Sequence, residues 1–118
     1  MYISILKEAS NNIRRSTKNI LITHMDIIGG AINGGGVCSV GIPKNLFNNF
    51  DSVIVGHYHN RSSFDNINYI GSVCPANFGE DNDKGYAVVY DDGTHTLHNL
   101  DVDKYSTGRV VISSGLLS

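Results

Sequence analysis

Two short stretches, Ile20-Leu21-Ile22-Thr23-His24 and Ser52-Val53-Ile54-Val55-Gly56-His57-Tyr58-His59, decide the fold. Each begins as a short, β-branched run, the pattern of a strand covered on both faces in a parallel sheet. Each then delivers histidine at its carboxyl end, the place where open α/β sheets gather ligands. His24 and His57 stand 33 positions apart, enough for a loop-plus-helix crossover between neighbouring parallel strands. The expected fold class is therefore α/β.

Outward from these runs the pattern stays mixed. Ile3, Leu6, Ala9 and Ile13 recur at helical spacing, which predicts an amphipathic helix from Ile3 to about Ser16. The Ser10-Asn11-Asn12 cluster opposes it, because short polar side chains compete for backbone hydrogen bonds. Gly29-Gly30 and Gly34-Gly35-Gly36 mark a long irregular loop, and Pro43 opens a short helix through Phe47. Asn66 to Ile70 is a third strand. Gly85–Tyr90 and Thr94–Leu100 flank Asp91-Asp92-Gly93, a hairpin signal. Val110 to Ile112 reads as a last strand or part of a tail. Residues 1–100 thus form one unit and 101–118 a tail or edge strand.

Bulk properties narrow the classes. At 118 residues, with 41% hydrophobic content, the chain holds at most one domain with a packed core. A net charge of -2 and a pI of about 6.2 give no basic stripe of a self-sufficient DNA binder. Arg14, Arg15 and Lys18 read as a solvated helix end. No apolar run approaches the roughly 20 residues of a membrane span, and no signal-peptide pattern opens the chain, so no membrane association and a cytoplasmic location are expected. Cys38 and Cys74, far apart and without a CxxC partner, read as reduced thiols.

Neutral imidazole suits borderline metals such as manganese, iron and zinc. If His57-Tyr58-His59 is extended, both imidazoles point to one side and reach two ions about 3.5–4 Å apart. Gly56 would then permit an unusual turn just before them. Spacing alone leaves two readings open, metal ligands or surface-loop histidines. Asp26 likewise either supports an imidazole from behind the ligand shell or is a solvated loop carboxylate. Tyr58 points the other way, into the core. His95 and His98, at odd spacing, read as structural. Gly34-Gly35-Gly36 lacks the Lys-Ser/Thr of a phosphate-binding P-loop.

Gly56-His57-Tyr58-His59 matches the GHxH motif of the calcineurin-like metallophosphoesterases, and Leu21-Ile22-Thr23-His24 resembles the isolated-histidine strand that precedes it. With Tyr69-Ile70-Gly71-Ser72, Asn77-Phe78-Gly79-Glu80 and Lys84-Gly85 added, the chain resembles the SbcD-like nucleases, bacteriophage relatives included, from about Lys18 to about Leu100. The resemblance implies the C-terminal half of a β-sandwich flanked by helices, four-layered α/β/β/α when complete. It implies that His24 and His57 hold one divalent ion and His59 a second, manganese foremost, with iron, zinc and magnesium as alternatives. The implied activity is hydrolysis of DNA phosphodiester bonds by a metal-activated water, in an exo- or endonuclease subunit of a double-strand-break processing or recombination complex. Implied partners are DNA, an SbcC-like ATPase and a second copy of the chain. Gly71-Ser72 and Phe78-Gly79-Glu80 are then scaffold.

The departure from the family is large. The Asp-x-His, Gly-Asp and Gly-Asn-His motifs are absent, and with them the bridging aspartate and the histidine that acts as general acid. The chain is therefore expected to need an N-terminal half, as the product of an internal start, a split gene or a gene fragment. One face of Ile20–Ile22 and Val53–Val55 should lie uncovered. The competing expectations are a non-catalytic remnant or binding module, and a small phosphoesterase acting on nucleotides or phosphoproteins.

Overall fold

The computed structural model describes residues 2–75, 80, 81 and 83–100. Helix α1 (Tyr2–Asn11) opens the chain, and strands β1 (Ile20–His24), β2 (Ser52–Gly56), β3 (Ser62–Phe64), β4 (Ile67–Tyr69), β5 (Gly85–Val89) and β6 (His95–Asn99) follow. β1 to β4 form one sheet in the order β1-β2-β4-β3, and β5 and β6 form a separate antiparallel pair. The mixed α/β class is as the sequence implies. The segments Asn77-Phe78-Gly79 and Val110 to Ile112, and the whole 101–118 tail, lie outside the described residues.

The two deciding runs pair parallel and in register, Ile20 opposite Ser52 and His24 opposite Gly56. β4 continues the parallel set on the other side of β2, with Val55 opposite Tyr69. β3 runs antiparallel to β4. It escapes sequence reading because Ser62-Ser63-Phe64 has no apolar alternation; the turn through Asn66 folds it back onto β4.

Burial corrects the reading of β1. This strand sits at the sheet edge and leaves Ile22 72% exposed, so it is not covered on both faces; the bare face expected at Ile20–Ile22 is there. β2, between two neighbours, is buried throughout its apolar run, and the expected bare face at Val53–Val55 is not found. The core gathers Val53, Val55, Ile67 and Tyr69 from the sheet with Ile27, Phe47, Phe50 and Leu6.

Helix α1 ends at Asn11, five residues short of the expected Ser16. Asn12 returns its side-chain amide to the Glu8 carbonyl at 2.9 Å, the competition that short polar residues bring to a helix end. The crossover from β1 to β2 carries a 3-10 turn at Lys44–Phe47, not an α-helix, and α1 packs against that turn. Asn66 fastens the same turn to the sheet, donating to the Phe47 and Phe50 carbonyls at 2.9 Å each. No helix among the described residues is long and apolar enough to cross a membrane.

Candidate metal centre

Parallel pairing in register brings the ends of β1 and β2 side by side, and their histidines with them. The His24 and His57 rings meet edge to face, centroids 5.2 Å apart. Together with Met25, Asp26, Gly41 and Ile42 they line an open cleft of about 460 Å³. Gly56 is needed here for a reason other than the expected turn. A Cβ at this position would lie 2.9 Å from Nδ1 of His24, so its absence makes room for that ring across the end of β2.

The unusual backbone falls one residue later. His57 has φ +112°, a region that side chains other than glycine rarely adopt. The segment after Gly56 bends and does not continue as a strand, so the three motif residues do not alternate as an extended chain would. His57 turns to Asp26, with Nε2 2.9 Å from Oδ1. Tyr58 is buried, as expected; it packs on Tyr69 at 4.8 Å and donates its hydroxyl to the same Asp26 oxygen. Burial first, and then Asp26, pushes the Tyr58 phenol above its ordinary range. Asp26 thus touches an imidazole and a phenol at once, while its side chain stays 49% exposed.

His59 goes elsewhere. Its Nδ1 lies 3.2 Å from Oε2 of Glu80, whose side chain is only 5% exposed. The His59 amide donates to Asn33 Oδ1 at 2.7 Å, and its carbonyl accepts from Lys84 Nζ at 2.5 Å and the Ser72 amide at 3.1 Å. Ser72 therefore acts as scaffold, by holding the His59 carbonyl. Asn33, Glu80 and Lys84 escape sequence reading as neighbours of His59. Asn33 hides in a glycine-rich loop; Glu80 is expected only as scaffold and Lys84 only as part of the resemblance, and neither reading places them at His59.

Tyr69 secures the site from below. It donates to the Met25 carbonyl at 2.9 Å and accepts from the Ile27 amide at 3.1 Å, pinning the chain just beyond His24. Burial raises its phenol as well. His95 and His98 stay on the hairpin, His98 stacked on Tyr86 with centroids 5.1 Å apart. Cys38 and Cys74 are free thiols.

By type, two imidazoles with an adjacent carboxylate suit a borderline divalent ion. By number they fall short. Among the described residues, no three His, Cys, Asp or Glu side chains converge closely enough to hold a metal. His24 and His57 come together, Asp26 joins through His57, and His59 stands apart on Glu80. An ion at His57 Nε2 would have to replace its contact with Asp26.

Paired histidines at the carboxyl ends of adjacent parallel strands stand where open α/β sheets gather ligands. Among known proteins, the chain is 38% identical over 81 residues to the SbcD subunit of the SbcCD nuclease of Staphylococcus saprophyticus, a match covering 60% of this chain and 21% of that protein. It is 37% identical over 94 residues to the SbcD subunit of Staphylococcus epidermidis, covering 71% of this chain and 25% of that protein. The matches thus span about a quarter of those relatives or less. No family model and no solved structure matches the chain.

Proposed function

We propose that this chain supplies the C-terminal part of an SbcD-like metallophosphoesterase that hydrolyses DNA phosphodiester bonds. The observation that carries the reading is the meeting of His24 and His57 at the ends of two in-register parallel strands. Similarity to the SbcD subunits of two SbcCD nucleases supports it. His24 and His57 would contribute nitrogens to one divalent ion and His59 to a second, manganese being the first choice. When bound, such ions supply charge neutralisation at the phosphate and a water of lowered pKa. The chain's own residues position the donors: Gly56 makes room for His24, Asp26 and the strained backbone aim His57, and Glu80 and Asn33 fix His59. The bridging carboxylate and the proton donor come from an N-terminal half, and an SbcC-like ATPase is the proposed partner of the assembled subunit.

The test mixes the purified chain with a polypeptide carrying the three missing motifs, in Mn2+, and follows hydrolysis of bis(p-nitrophenyl) phosphate. Expected is no activity from either piece, activity from the mixture, and loss of that activity with His57→Ala. Activity of this chain alone, abolished by His57→Ala, would overturn the partial-site reading. A mixture that associates by light scattering yet stays inactive would overturn the nuclease reading. That no three donors converge among the described residues also supports a second reading, a non-catalytic binding module, which that last outcome would favour.

A further inference from the structure

Lys84 is the most deeply buried charge among the described residues, its side chain wholly inaccessible. A buried ammonium is tolerated only where oxygens surround it. Lys84 Nζ lies 2.5 Å from the His59 carbonyl, 3.0 Å from Asn60 Oδ1 and 3.1 Å from Glu80 Oε1, with Asp81 Oδ1 at 3.7 Å. The other Glu80 oxygen faces His59 Nδ1 at 3.2 Å. One cation therefore grips His59 twice, directly at its backbone and through Glu80 at its ring.

This geometry has a chemical consequence. A carboxylate paired with an ammonium can only accept hydrogen bonds, so the proton between Glu80 and His59 resides on Nδ1. Nε2 of the neutral ring then carries the lone pair. A carboxylate behind a metal-ligating histidine sets the tautomer in this way and raises the basicity of the ligand nitrogen.

We infer that Lys84 and Glu80 are positioning residues that lock His59 as its Nδ1–H tautomer, presenting Nε2 as the donor to a divalent cation. The cation half of this inference rests on the proposed reading of His59 as a ligand; the tautomer half does not. Neither residue touches the reacting atoms. The clamp is built from a strand-leading lysine and a glutamate four residues before it, reaching back to the turn after β2.

Long-range 1H–15N correlation spectra of the 15N-labelled full chain report each histidine tautomer directly. At a pH where His59 is neutral, the wild type should show His59 protonated at Nδ1. Glu80→Ala should shift it towards the Nε2–H form, and Glu80→Gln should do the same, because Lys84 claims the single amide oxygen and turns the NH2 group towards Nδ1. Because Lys84→Met alone would take the ammonium away from a buried carboxylate, the Glu80→Gln, Lys84→Met pair keeps the size of both side chains and removes both charges together. It should fold and keep the tautomer through the amide oxygen, while Lys84→Met alone should be clearly less stable. An Nε2–H wild type, or a tautomer indifferent to Glu80→Ala, would overturn the inference.

Mn2+ alone, titrated into the chain mixed with its N-terminal complement, tests the other half by paramagnetic broadening of His59. Affinity should fall about 10- to 100-fold in Glu80→Ala and in Glu80→Gln, and recover in the Glu80→Gln, Lys84→Met pair. A correct tautomer without broadening of His59 would refute the ligand reading and leave the clamp standing.

Discussion

Tyr69 spans from β4 to the first turn beyond His24, donating to the Met25 carbonyl and accepting from the Ile27 amide with one hydroxyl. Both Tyr69 and Ile27 are almost wholly buried, so no water replaces the phenol if it is removed. Tyr69→Phe should leave the Ile27 N–H unsatisfied and lower stability by about 1–3 kcal/mol. Urea denaturation measures the loss. Amide exchange should rise most at residues 25–28; an unchanged midpoint would show that the hydroxyl is not anchoring this segment.

Alkaline pH probes the same hydroxyl and that of Tyr58. Burial raises both phenols above their ordinary value, with Asp26 adding to the shift at Tyr58. Between the unfolded pKa, about 10, and the folded value, the native state binds more protons than the unfolded one. Stability is therefore complete below about pH 10 and falls as pH rises beyond it. Tyrosinate absorbance from these two residues should appear together with loss of secondary structure. The Tyr58→Phe, Tyr69→Phe pair should flatten the alkaline fall, whatever it does to stability at neutral pH. Ionisation of both phenols in a still-folded chain would contradict the assignment.

Gly56 tests how closely the two strand-end histidines depend on bare backbone. Gly56→Ala places a methyl group 2.9 Å from the His24 ring nitrogen. His24 is exposed and can swing aside, so the stability loss should sit near the lower end of overpacking effects, about 1 kcal/mol. Contacts between the His24 and His57 rings should nonetheless vanish from nuclear Overhauser spectra. Retention of those contacts in the alanine variant would mean that the glycine is not what seats His24.

How far the sequence reaches is visible in these same residues. The two apolar runs were legible because a β-branched block that stops at a histidine fits a strand terminus and little else, and their parallel pairing followed from the length between them. Tyr58 was legible as core from its place between two polar neighbours. The backbone after Gly56 was not. An i, i+2 pair points to one side only while the chain stays extended, and φ +112° at His57 ends that extension immediately. The supports of His59 were hidden for a different reason. Asn33 and Glu80 lie 26 and 21 residues from it in sequence, and burial of a lysine depends on contacts no local pattern encodes. What sets β1 apart from β2 was equally unreadable: a bare face is expected on both runs, yet Ile22 is exposed on the edge strand while Ile54 is buried in the middle one, in nearly identical sequence contexts.

His57 itself carries the sharpest conflict between stability and the proposed role. Holding a non-glycine residue at φ +112° costs on the order of 1–3 kcal/mol, and such strain concentrates where function fixes a side chain. His57→Gly relieves the strain but removes the contact with Asp26, which is half exposed and contributes little to stability. His57→Ala removes the same contact and keeps the strain. The glycine variant should therefore be more stable than the alanine variant by about 1 kcal/mol, and at least equal to the wild type. In the complemented mixture both should lose Mn2+-dependent hydrolysis alike. That pairing of outcomes, in urea denaturation and in the phosphodiesterase assay, separates a residue kept for its imidazole from one kept for its fold. If glycine proves the less stable of the two, the backbone at His57 is not strained, and its ring is not held there for chemistry at a cost in stability.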